Sequence, residues 1–407
     1  MFDKLRDNGR LIVYIVVAIF VISGAFAGFG AYMSGGGNRS TSANSQNIAT
    51  VNGENITQQE YISTVRNQAP QSQRSSNQIL SFKYNILKQL IERKLVLQKA
   101  DDMGIKAEVT NKEVQNTIDE ILKQNEMTED ELKDNLSKQN FTLDAFKKDI
   151  RNSLKTQQKI QKTIDKSTEN VEVTEAEIKE EYENQTKDKK DPESYEDLKE
   201  DIKNSLRNQK QSQAFNNWMT NLKDDAKIEI YDARFAGMKA LENKEYDQAI
   251  SNFNDALNNG SSPAIYLHLA NAYRQKENND KAIETFEKGL EEYSSNWELH
   301  YNLGDLYKNL EEEDKALAQF DKASENLGNQ NIMGRYQVYL GYKDLGAEEK
   351  AKTEQEKIME IQQQQMQPRP QNSNEQNTTT DEKAEDTKAE SVFSQEENKE
   401  TTNEEQN

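Results

Sequence analysis

Cysteine is absent from all 407 residues. Its absence excludes disulfides, thiolate metal sites, a cysteine nucleophile and a lipid anchor carried on an acylated cysteine. Histidine occurs only at His268 and His300, too sparse for a His-rich metal site. Proline is scarce: Pro70, Pro192, Pro263, Pro368 and Pro370 fall between predicted helices or near the end of the chain. That placement fits a mainly helical protein, because proline breaks helix interiors. Positive charge is in deficit, with 52 Lys and Arg against 72 Asp and Glu and a net charge of −20. That balance argues against nucleic acid as a partner, since phosphate binding needs a basic stripe. No glycine-rich loop followed by Lys-Ser or Lys-Thr is present, which argues against ATP-driven cycling. The abundant carboxylates fall on solvated helix faces, and no Ser–His–Asp arrangement is credible. The residues therefore call for no cofactor, no metal and no catalytic group.

One long hydrophobic run is present. Residues Leu11 to Met33 (LIVYIVVAIFVISGAFAGFGAYM) carry no charge over 23 positions. At 1.5 Å per residue such a helix spans a hydrocarbon core about 30 Å thick. Lys4, Arg6 and Arg10 precede it and no basic residue follows until Arg39. The positive-inside rule places residues 1–10 in the cytoplasm and exports the rest, a single pass across the cytoplasmic membrane. The competing reading is a cleaved signal peptide with Ala25-Phe-Ala27 at its cleavage site. Against it, apolar residues continue through Phe29 to Met33. Residues 34–47 (SGGGNRSTSANSQN) read as a flexible tether.

From residue 48 the pattern changes. Ile48-Ala-Thr-Val-Asn-Gly-Glu-Asn-Ile-Thr57 alternates around an Asn-Gly turn, and Thr57 with Glu60 forms a capping-box pattern. A long helix is expected from about Asn77 to Asp102, with Ile79, Phe82, Ile86, Leu90 and Ile91 at helical spacing and Met103-Gly104 at its end. Thr110, Thr128, Thr142 and Thr174 each open a further helix. Another starts at Tyr195 and leads into the alternating Ala226-Lys-Ile-Glu-Ile230.

The string VNGENIT and the helix LIERKLVLQKADDMGI resemble the N-terminal domain of the foldases related to SurA, PpiD and PrsA. In that family a parvulin prolyl-isomerase domain is inserted between the N-terminal segment and a returning helix and strand. Here Thr186 and Ser194 are joined only by a short polar run that includes Lys187-Asp-Lys-Lys-Asp-Pro192. The resemblance implies one chaperone domain over 48–230, with the isomerase missing near 186–194. It also implies that Ile228 and Ile230 pair near Ile48 to Val51. Every apolar stripe here packs a core first. A thin helical domain is also expected to leave some apolar surface over, and Phe82, Tyr84, Met127, Phe141 and Phe146 are the candidates for client binding.

A period of about 34 residues follows. YDQAISNFNDAL, NDKAIETFEKGL and EDKALAQFDKAS align Ala249, Ala282 and Ala316, then Phe253, Phe286 and Phe320. Each is preceded by a helix carrying a small residue: Gly237, Ala270 or Gly304. This closely resembles the tetratricopeptide repeat, in which small residues let paired helices approach and aromatics fill the gap between repeats. Three repeats and a weaker fourth, Tyr339 to Ile361, give an α-solenoid over 231–361. The resemblance implies a groove that binds a peptide or protein partner. By repeat position it is expected to carry Arg234, Leu267, His268, Asn271, Arg274, Tyr301, Asn302, Asp305 and Lys308. Arg234 suits the carboxylate-clamp variety of these repeats, whereas Met238 and Glu298 do not. Residues 362–407 are rich in Gln, Asn, Thr and Glu, a disordered composition.

The expected whole is a mainly α, membrane-anchored, extracytoplasmic holdase for unfolded or exported proteins, without isomerase activity. The alternative is a scaffold whose repeats recruit envelope or secretion partners.

Overall fold

The computed structural model describes residues 47–68, 75–138, 140–190, 192–328 and 331–366. The expected membrane helix 11–33 and the expected tether 34–47 lie outside them, except for Asn47, which opens the first strand instead of ending a tether; most of the acidic C-terminal stretch also lies outside. Among the described residues no helix is long and apolar enough to cross a membrane. The architecture is mainly helical, with 15 helices and one three-stranded sheet among the described residues.

The chain divides into two compact units, Met1–Gln73 with Phe82–Tyr231, and Arg74–Ser81 with Asp232–Asn407. In the first unit β1 (Asn47–Val51) and β2 (Glu54–Thr57) form a hairpin. Its turn residues Asn52 and Gly53 have φ 51° and 82°. That left-handed pair is what an Asn-Gly hairpin turn needs. β3 (Ile228–Ile230) returns to pair antiparallel with β1, Ala49 opposite Ile230 and Val51 opposite Ile228. The expected closure by Ile228 and Ile230 is therefore present. Ala49, Val51 and Ile56 are fully buried beneath the sheet.

Helices α1 (Gln58–Gln68) and α2 (Ser76–Asp102) follow the hairpin. Gln98 on α2 donates to the Val51 carbonyl at 3.0 Å and accepts from Asn52 at 2.9 Å, fixing the hairpin end. Next come α3 (Asn111–Gln124), α4 (Glu129–Lys138) and α5 (Leu143–Ser167). Thr110 and Thr128 each accept from the backbone N–H three residues on, while Glu113 and Glu131 reach back to the cap N–H. These reciprocal bonds satisfy amides that a helix start leaves free, so the expected starts hold. Val114, Ile118, Ile121, Leu132, Leu136, Phe146 and Ile150 make a separate core among these three helices.

α6 (Glu175–Thr186) and α7 (Tyr195–Asp224) form a directly connected helical hairpin. Ile178, Leu198 and Ile202 pack between them. The Tyr182 hydroxyl donates to the Glu193 carbonyl at 2.9 Å, and Tyr195 donates to Glu175 at 2.7 Å. Where the resemblance places an inserted domain, only residues 187–194 link the two helices. Farther along α7, Met219, Phe215 and Trp218 pack with Val96, Ile160 and Ile164.

The second unit pairs helices in series: α8 (Ala233–Glu242) with α9 (Tyr246–Asn259), α10 (Pro263–Gln275) with α11 (Asn279–Glu292), α12 (Trp297–Asn309) with α13 (Glu313–Asn326), and α14 (Ile332–Asp344) with α15 (Glu348–Met366). The fourth pair begins at Ile332, earlier than the expected Tyr339, and its second helix continues past Ile361 to Met366. Within each pair the turn holds one residue in left-handed backbone: Lys244, Glu277, Glu311 and Gly346, with φ between 60° and 68°. Three of the four are not glycine, so this feature of the repeat carries no sequence signal.

Candidate functional site: the face of the repeat helices

The first helices of the last three repeats have the same length, 13 residues, and caps at Ser262, Asn296 and Asn331. Counting from each cap gives equivalent rows: Ala264, Glu298 and Met333; Leu267, Tyr301 and Tyr336; Asn271, Asp305 and Leu340; Arg274, Lys308 and Lys343. These rows share one helix face by register, the face expected to carry the groove.

Three charges of this face, Arg274, Asp305 and Lys308, are paired among themselves and with Asp344. Arg274 reaches Asp305 on the next first helix at 3.0 Å, and Lys308 bridges to Asp305 at 3.3 Å and to Asp344 at 2.8 Å. All but Asp344 are at most about a quarter exposed, which strengthens such bonds above fully solvated ones. Burial depresses the Lys308 amine, but the bonds to Asp344 and Asp305 outweigh it and its pKa is raised. Tyr301 is half-buried against the Phe320 ring, 5.6 Å between centroids, and burial raises its pKa.

Several expected groove residues do other work. The Arg234 guanidinium forks onto Asp232 at 3.1 and 2.7 Å, the aspartate that caps its own helix. Leu267 is buried at 5% exposure, and Asn302 donates to the Glu298 carbonyl one turn earlier. His268 stacks on Phe253 at 5.7 Å, and its buried Nε2 has no hydrogen-bond partner. Burial lowers its pKa to about 4, so it is a neutral packing ring. Asn271, Arg274, Tyr301, Asp305 and Lys308 are the ones the register and the ion pairs bring together.

The expected apolar surplus of the first unit is likewise redistributed. Tyr84 and Phe146 are buried at 3% and 5%. Met127 and Phe141 pack on the core of α3 to α5, and Phe82 is half-buried. Packing among α3 to α5 thus takes up Phe146 and much of Met127 and Phe141. Among the described residues the large exposed apolar side chains are Tyr231, Met333, Tyr336, Leu340 and Met359. Three of them, Met333, Tyr336 and Leu340, form one stripe on α14 at 64%, 49% and 38% exposure. They occupy the rows of Glu298, Tyr301 and Asp305. Aligning the fourth repeat on Tyr339 instead of its Asn331 cap hides this register in the sequence.

Glu298 is the acid the repeat pattern did not accommodate. It is 8% exposed. Its Oε1 accepts from the Ser75 hydroxyl at 2.8 Å, and its carboxylate also accepts from the backbone N–H of Asn77. Burial raises its pKa against these bonds.

Comparison with known proteins fits this geometry. Residues 1–160 match the model of the SurA-like N-terminal domain. Residues 236–296 and 267–330 match the tetratricopeptide repeat. No curated protein matches the chain. Two solved structures of MamA are similar to the chain. One is 18% identical with a TM-score of 0.28, covering 39% of this chain and 95% of that one. The other is 20% identical with a TM-score of 0.26, covering 33% and 74%. At those scores the likeness carries nothing further. Neither kind of domain matched by the family models is catalytic, and the protein joins a SurA-like N-terminal domain to tetratricopeptide repeats.

Proposed function

We propose that this protein is a membrane-anchored extracytoplasmic folding factor that holds segments of unfolded exported proteins without ATP and without isomerising them. The observation that carries this reading is the exposed stripe of Met333, Tyr336 and Leu340 in the groove register, in a chain that also bears a SurA-like domain. Lys4, Arg6 and Arg10 ahead of the apolar run 11–33 support an N-terminus inside and the bulk outside. The short α6–α7 connection supports holding without an inserted isomerase.

Burying apolar area contributes about 25 cal/mol per Å² whatever the client sequence. Three partly exposed side chains then supply on the order of 2–4 kcal/mol, a millimolar-class contact by itself. Such weak contact releases without energy input, and the anchor and neighbouring sites raise the effective concentration.

The test compares the full-length protein in detergent with its Met333→Ser/Tyr336→Ser/Leu340→Ser variant. The wild type is expected to suppress aggregation of an unrelated denatured protein near stoichiometry, without ATP and with little salt dependence. The variant is expected to lose most of that effect. Equal suppression by both would move the holding surface elsewhere. Suppression by neither would favour the scaffold reading, which the internally matched Arg274–Asp305–Lys308–Asp344 series also suits.

A further inference from the structure

The second unit includes a short stretch remote in sequence from the repeats, Arg74–Ser81. Ser75 caps α2: its hydroxyl accepts from the Gln78 N–H at 3.2 Å, while Gln78 Oε1 accepts from the Ser75 N–H at 3.0 Å. The same hydroxyl donates to Glu298 at 2.8 Å, and Glu298 also takes the N–H of Asn77. A helix start leaves its first amides without intrahelical partners and carries the positive end of the helix dipole. A nearly buried carboxylate is the complementary group, and Glu298 stands where the last repeat has Met333 and the second has Ala264. From this we infer that the repeat groove recognises the capped N-terminal turn of a helix through Glu298, and that Ser75–Ser81 is a resident occupant which a partner helix of the same chemistry displaces.

The resident fit is imperfect in a way that suits displacement. Asn77 Oδ1 is buried without a hydrogen-bond partner. An unpaired buried acceptor weakens an association about tenfold or more. The stripe of Met333, Tyr336 and Leu340 also stays exposed with the occupant in place. The partner this chemistry selects begins with Ser or Thr at the cap and continues as an amphipathic helix. The ion pairs of Arg274 and Lys308 leave no free basic pair for an acidic C-terminus. The inference rests on reading the repeats as a peptide-binding face and adds the class of ligand.

The experiment uses the full-length protein in detergent and a fluorescent synthetic peptide of residues 75–89, SSNQILSFKYNILKQ, held helical by a side-chain staple. Wild type is expected to bind it weakly, because the resident segment competes. Ser75→Ala in the protein is expected to tighten binding about tenfold and to speed amide exchange at Asn77 to Ser81. Glu298→Ala is expected to speed the same amides and to abolish peptide binding, with Glu298→Gln intermediate because it keeps an acceptor without the charge. Unchanged exchange in α13 shows that the repeats remain folded. If they do not, Ser75→Ala and Glu298→Gln decide the matter alone. Failure of Ser75→Ala to tighten binding, or wild-type affinity in Glu298→Gln, overturns the inference. A proline-broken peptide of the same composition that binds as well as the helical one also overturns it, while leaving the groove itself a peptide-binding face.

Discussion

Removing the carboxylate of Glu354 is expected to unfasten the last repeat. Arg335 on α14 and Glu354 on α15 form an ion pair at 2.9 Å with side chains 7% and 2% exposed. Glu354 also accepts from Ser324 at 2.5 Å and from Lys357 at 2.8 Å. Burial pushes its carboxyl up, yet Lys357, Ser324 and Arg335 together hold it below its ordinary range. Glu354→Ala strips Arg335 of its counter-charge while the Arg335 Nε is already buried without a partner. Breaking one side of such a pair costs about 3–5 kcal/mol, because a buried charge is left uncompensated. Because repeats are stabilised by their neighbours, the loss falls on α14 and α15 first. Hydrogen exchange of amides in those helices is expected to accelerate by roughly 100-fold or more, since about 1.4 kcal/mol is tenfold. Exchange in α10 and α11 is expected to change far less. The paired replacement Arg335→Met/Glu354→Leu is expected to restore protection, since apolar residues of similar volume replace buried ion pairs at little loss. Acceleration below tenfold in Glu354→Ala, or no rescue in the double variant, would refute the reasoning.

Two further outcomes are expected. Gly304→Ala places a Cβ 2.9 Å from the Phe320 ring and 3.2 Å from the Ala316 carbonyl, and overpacking of this kind costs about 1–3 kcal/mol. Gly328→Ala, with nothing within 4 Å, is the control, and equal denaturation midpoints for the two would contradict the packing account. His268, depressed to about 4 by burial, favours the folded state when neutral. Its contribution is therefore complete above about pH 6.5 and lost as pH falls from there through about 4. The shift corresponds to at most about 3 kcal/mol, reduced because part of the ring remains accessible. His268→Phe is expected to keep the stacking on Phe253 and flatten that part of the stability–pH curve relative to wild type. An unchanged curve would show that the ring is more open to water than its position implies.

The repeats were legible in the sequence because their determinants are local and periodic. Ala249, Ala282 and Ala316 and the matching phenylalanines recur at the spacing of a helix pair, and the small residues before them state where helices touch. The helix starts were legible for the same reason: Thr110, Thr128 and Thr174 satisfy amides only three residues away. The return of Ile228 and Ile230 to β1 was read through resemblance, since nothing local in a three-residue strand names a partner so far along the chain. Tertiary structure alone decided which apolar residues are spare. Tyr84 and Phe146 have the same side-chain chemistry as Tyr336, and only the neighbours that cover them make the first two core and the last one surface. It also decided the meaning of Glu298. In the sequence it is a misfit in a binding row; in the fold it meets the free amides at the start of α2, a helix more than two hundred residues earlier in the chain. Carboxylate and helix end complement each other at any sequence separation, and only folding brings the two together.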